Sequence, residues 1–118
     1  MGYSRPQARQ AVVPLPAEID STNAREAGKD LLAAILPGVT VIVADMTATT
    51  FCDTAGINML ALARSQATLQ KAKLILVVPS AAILRILAVT GLDLLTPIYP
   101  SLDEALSADS LPEAEAAR

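Results

Sequence analysis

The 118-residue chain has no histidine, no tryptophan and a single cysteine. Without histidine, both the usual general base and the commonest metal ligand are missing. One cysteine and no histidine exclude zinc sites of the usual composition. Cys52 has no partner for an internal disulfide, which fits a reducing compartment. Its expected place is as a small buried hydrophobe just before a loop. Phosphate-binding loops are absent too, since neither G-x-x-x-x-G-K-[ST] nor G-x-G-x-x-G occurs. Nothing remains to activate a nucleophile or to hold a triphosphate with its magnesium ion. The chain is therefore expected to bind rather than catalyse, with no metal and no cofactor.

Cationic stretches are also scarce. Nine Lys and Arg face twelve Asp and Glu, the net charge is −3, and no run of Lys or Arg exceeds two residues. Nucleic acids and anionic membranes are poor partners for such a surface. The longest apolar stretch, Leu74 to Leu84, is broken by Pro79 and Ser80. It falls short of the ~18–20 residues of a membrane span. The first ten residues, MGYSRPQARQ, lack the apolar middle of a signal peptide. A cytoplasmic protein without a membrane span is expected.

The residues that are plentiful are aliphatic. The chain is 53% hydrophobic but only 3% aromatic and 18% charged, so Leu, Ile, Val and Ala must build the core. Strand and helix patterns alternate, which predicts an α/β domain. AVVPLP (11–16) reads as an edge strand because two prolines remove ladder donors. Thr22 to Leu36 reads as a helix, capped by Asp20, Ser21 or Thr22 and stopped by Pro37-Gly38. VTVIVAD (39–45) and KLILVV (73–78) are β-branched or aliphatic runs typical of strands covered on both faces. Helices are predicted over Ala55–Gln70 and from a Ser80 cap to Thr90, the second ending at Gly91. TPIY (96–99) reads as a last strand, and Ser101 with Glu104 has capping-box spacing for a final helix. The expected division is a loosely ordered start over 1–10, one domain over 11–107 and a flexible tail over 108–118.

The segment FCDTAGINML (51–60) joins strand to helix through an acid and a hydroxyl. Asp53 suits the N-cap, which places Thr54 at the first helical position beside unpaired backbone donors. Asp and Thr are also ordinary helix-start residues, so this alone does not single out a site. Gly56 in the first turn costs about 1 kcal/mol relative to Ala, which suggests close approach by another surface or by backbone. Gly56, Leu60, Ala63 and Ala67 form the stripe expected to face the sheet. Ile57, Met59 and Ala61 fall off that stripe, where they either meet neighbouring helices or form an exposed apolar patch.

FCDTAGINML, reached through VTVIVADMTATT and followed by KLILVVPSAAILRILAVTGLDLL, resembles the STAS domain of bacterial anti-sigma factor antagonists. LPAEIDSTNA is similar to that family's acidic turn between its early strand and first helix. The resemblance runs from about Val12 to Leu106. It implies one STAS-like α/β domain, with a mixed four- to five-stranded sheet covered by about four helices. It further implies binding to an anti-sigma factor that is also a serine/threonine kinase. That kinase would phosphorylate Thr54 and end binding, and a metal-dependent Ser/Thr phosphatase would restore it. Asp20 and Asp53 would frame the acceptor, Gly56 would permit close approach, and Ile57, Asn58 and Met59 would touch the partner. The family usually has Ser at the acceptor and often a second hydroxyl at the next position, where this chain has Thr54 and Ala55.

A different role for such a domain is constitutive: an accessory subunit of a lipid-transport ABC complex or of a stress-sensing assembly. A small nucleotide-binding module is a third reading. A phosphoryl-accepting receiver is disfavoured, although Asp45 ends a buried strand, because the chain has no Lys-Pro.

Overall fold

The computed structural model describes residues 9–109, and most of the expected loose start and tail lies outside them. In chain order the elements are β1 (Arg9–Pro14), β2 (Glu18–Ile19), α1 (Ala24–Ala33), β3 (Val39–Asp45), β4 (Phe51–Cys52), α2 (Thr54–Leu69), β5 (Lys73–Val77), α3 (Ala81–Thr90), a 3₁₀ turn (Leu92–Leu94), β6 (Ile98–Tyr99) and α4 (Leu102–Asp109). Arg9 and Gln10, assigned to the loose start by the sequence, open β1.

β1, β3, β5 and β6 form one sheet in that order, and β2 pairs with β4 in a small second ladder. Every pairing among the described residues is parallel. The expected α/β domain under about four helices is realised, but where a mixed sheet of four or five strands was expected there are four parallel strands plus a parallel ladder of two.

Pleating explains the continuous apolar runs. In β3 and β5 alternate side chains point to opposite faces, and both faces are covered. Ile42, Ala44, Leu74 and Leu76 lie in the main core with residues of α1, α2 and α3. Val41, Val43, Ile75 and Val77 form a second cluster with Ala105 of α4. β1 sits at the edge, where a proline is tolerated, and its pairing with β3 ends at Pro14 opposite Asp45.

Helix signals succeed where side chains are free to cap. Ser80 accepts from the Ile83 amide at 3.3 Å, and α3 stops at Gly91, whose φ is +81°. Ser101 Oγ accepts from the Glu104 amide at 3.2 Å, one half of the expected capping box. The first helix differs. It starts at Ala24 and ends at Ala33, and Asn23 stands at its N-cap without a side-chain capping bond. The candidate caps are used within the preceding loop instead. Thr22 donates both its amide and its hydroxyl to Asp20 Oδ1, and Asn23 Nδ2 donates to the Glu18 carbonyl at 2.7 Å.

Candidate functional site

The two-residue ladder of β2 and β4 builds the corner. Ile19 pairs with Cys52, and the Asp53 amide donates to the Ile19 carbonyl at 3.1 Å. Asp20 and Asp53 therefore leave the ladder from adjoining strands. At Asp53 the backbone is extended (φ −96°, ψ −169°), its carboxylate accepts from the Gly56 amide at 3.2 Å, and its carbonyl accepts from the Ile57 amide at 3.0 Å. Those bonds launch α2 with Thr54 as its first residue. Thr54 is exposed, at the end of a sixteen-residue helix where orphan amides and the macrodipole favour negative charge.

Two neighbours show how the corner is held. Hydrogen bonds from the Thr22 hydroxyl, and then from its amide, hold the Asp20 carboxyl below its usual range. Burial pushes the Cys52 thiol up to about 11, and the adjacent charge of Asp53 adds to the shift. Cys52 is packed under the corner with 3% of its surface exposed.

Beside Thr54 runs a groove of about 490 Å³ between the start of α2 and the end of α3. Ile57 and Ala61 line it from α2, Ile86 from α3, Leu92 from the 3₁₀ turn and Leu95 from just after it. Leu95 is 56% exposed, and its neighbour Leu94 is 86% exposed. Arg64 Nε donates to the Leu95 carbonyl at 2.8 Å, which ties this lip to α2.

Of the residues singled out by the sequence, Asp53, Thr54, Ile57 and Asn58 share the groove, and Asp20 occupies the adjoining turn. Gly56 and Met59 do not join them. Gly56 is buried, and a Cβ there would lie 2.5 Å from Cys52 Sγ and 2.9 Å from Ile19 Cγ2. The surface it lets close in belongs to the chain itself. Met59 turns toward α1, where its Cγ would meet a Cβ on Gly28 at 3.0 Å. The wall from α3 and the 3₁₀ turn was missed by the sequence reading. Its one signal was TGLDLL, leucines immediately after a helix-stopping glycine.

No group of three or more His, Cys, Asp or Glu side chains among the described residues could hold a metal ion. Nor is any helix among them long and apolar enough to cross a membrane. What the arrangement offers is an exposed hydroxyl on a helix tip, beside a partly open apolar trough.

The STAS domain family model matches residues 4–105. No curated protein sequence matches the chain. Among solved structures, an anti-sigma factor antagonist from Mycobacterium paratuberculosis is similar at 28% identity and a TM-score of 0.69, with 84% of each chain covered. The Bacillus cell fate determinant SpoIIAA in its phosphorylated form superposes with a TM-score of 0.62 at 19% identity, covering 88% of this chain and 94% of that one. A sulfate transporter family protein from Wolinella succinogenes reaches 0.73 at 16% identity, covering 85% and 84%. The last two likenesses are of fold alone.

Proposed function

The chain belongs to the STAS domain family, and on that premise we propose that it is an anti-sigma factor antagonist switched off by phosphorylation of Thr54. Its partner in this reading is a cytoplasmic anti-sigma factor with serine/threonine kinase activity, and a metal-dependent phosphatase resets it. The chain itself catalyses nothing and acts by binding. The observation that carries the reading is the exposure of Thr54 at the first position of α2, on the rim of the groove lined by Ile57 and Leu95. The similarity to the mycobacterial antagonist supports the same class of function.

The physics of the switch is local. Phosphate adds about −1.5 to −2 charge and three acceptor oxygens to Thr54. The amides at the tip of α2 tolerate that charge, so the domain need not rearrange. A partner docked over the corner must desolvate a dianion placed next to Asp53. Like charge and lost hydration can each cost several kcal/mol in an interface. A loss of ~3 kcal/mol is already more than a hundredfold in affinity.

Thr54→Asp is expected to weaken binding of the cognate kinase about a hundredfold, whereas Thr54→Ala binds normally and cannot be phosphorylated. Isothermal titration of both variants reads the difference, and equal affinities refute the switch. Intact-mass analysis of protein from its native cells supplies a second test. A fraction heavier by one phosphate, mapped to Thr54, is expected. Its absence during growth would favour a constitutive accessory role in a transport or stress-sensing assembly.

A further inference from the structure

A second groove, of about 440 Å³, runs between α1 and α2 on the far side of Asn58 from Thr54. Its apolar lining comes from Gly28 and Leu32 of α1 and from Met59 and Leu62 of α2. Leu62 is 60% exposed. Leu69, seven residues further along the same face of α2, is 77% exposed. An apolar trough rimmed by polar residues and ending in unburied leucines is the form of an interaction surface.

Charge identifies the occupant. Arg25 and Lys29, one helical turn apart, are the only charged residues lining the groove, and no carboxylate lines it. Acidic residues are absent from all of α2. The carboxylates of α1, Glu26 and Asp30, lie on its other side, along a cleft shared with Pro14 and Leu15. Arg25 has no ion-pair partner among the described residues. Lys29 meets Glu26 at 3.7 Å with both side chains largely solvated, a pairing that holds a side chain weakly. In a chain of net charge −3, this strip is cationic.

We propose that the α1–α2 groove binds an acidic amphipathic helix of a partner protein. Its leucine-like residues would lie over Met59 and Leu62, and its carboxylates would meet Arg25 and Lys29. This is the helix-in-groove mode, in which apolar anchors supply contact and flanking charges select the partner. The proposal does not depend on the Thr54 switch: the two grooves share Asn58 alone, and Arg25, Lys29 and Leu62 line only the second.

The test is fluorescence anisotropy with two labelled helical peptides, one carrying a leucine stripe flanked by glutamates and the other with lysine replacing each glutamate. The acidic peptide should bind saturably and the basic one about tenfold more weakly or not at all. The double variant R25E/K29E should reverse that preference while keeping the circular dichroism of the parent. Leu62→Ser should reduce binding of the acidic peptide. Saturable binding that ignores the sign of residues 25 and 29, or no binding of the acidic peptide, overturns the proposal. So does sedimentation with phosphatidylglycerol vesicles in preference to the peptide, which would make the strip a lipid contact. A concentration-dependent dimer abolished by Leu62→Ser would assign the groove to a second copy and overturn it as well.

Discussion

An alanine at position 56 would put its Cβ 2.5 Å from Cys52 Sγ and 2.9 Å from Ile19 Cγ2. Replacing a helical Gly by Ala ordinarily gains about 1 kcal/mol, but overpacking of a filled core typically costs about 1–3 kcal/mol. The contacts here are close enough for the second effect to win, so Gly56→Ala should lower the urea midpoint. Adding Cys52→Ala to it removes the nearest clash and should recover part of the loss. Cys52 itself supplies a pH dependence. Its thiol is raised from 9.0 to about 11 in the folded chain, so between those values the unfolded state ionises first and binds fewer protons. Stability contributed by the buried neutral thiol is complete below pH 9 and falls as the pH rises toward 11. Urea titrations from pH 8 to 11 should therefore show a steeper decline for the parent than for Cys52→Ala. The same burial should make the thiol slow to react with disulfide reagents until the protein unfolds.

The end of α2 shows how a helix can stop without its preferred residue. Gln70 closes the helix, the Lys71 amide donates to the Thr68 carbonyl at 3.0 Å, and the Ala72 amide reaches back to the Ala67 carbonyl at 2.8 Å. That pair of bonds is a Schellman motif, which needs a left-handed residue between them. The position is held by Lys71 at φ +62°, the one non-glycine among the described residues with a positive φ. Lys71→Gly should relieve the contact between Cβ and backbone and raise stability by about 0.5–1 kcal/mol. Equilibrium unfolding in urea measures it, and an unchanged or lower midpoint would contradict the strain. At the equivalent point of α3 the chain already has Gly91.

How far the molecule was legible in its sequence follows from which forces act locally. β3 and β5 could be read because strands buried on both faces must be continuously apolar. α2 and α3 could be read because Asp53 and Ser80 cap through their own side chains. β2 could not, since two residues carry no periodicity. Although 51–60 reads as joining strand to helix, the pairing of Ile19 with Cys52 that makes a second ladder was not visible. The start of α1 was misplaced because Asp20 and Thr22 bond to each other rather than to helix amides. At the corner, Asp53 as N-cap and Thr54 as the first helical residue follow from local capping chemistry, whereas Asn58 is named only through the family resemblance. Gly56 and Met59 lie off the groove beside Thr54, against Cys52 and α1, because which neighbour covers a helix face is decided by packing between distant segments. The wall containing Ile86 and Leu95 was missed for the same reason.

Neighbours in the main sheet follow chain order, from β1 through β3 and β5 to β6. The sheet can therefore grow in the direction of synthesis, each new strand annealing to the one made before it. A nascent chain that has emerged only as far as Leu69 owns β3 but not β5, leaving Val41 and Val43 with neither β5 beside them nor α4 above them. Such a fragment offers a sticky aliphatic ledge of the kind that chaperones recognise at the ribosome exit. The half-made domain should accordingly depend on assistance in a way that the finished one does not.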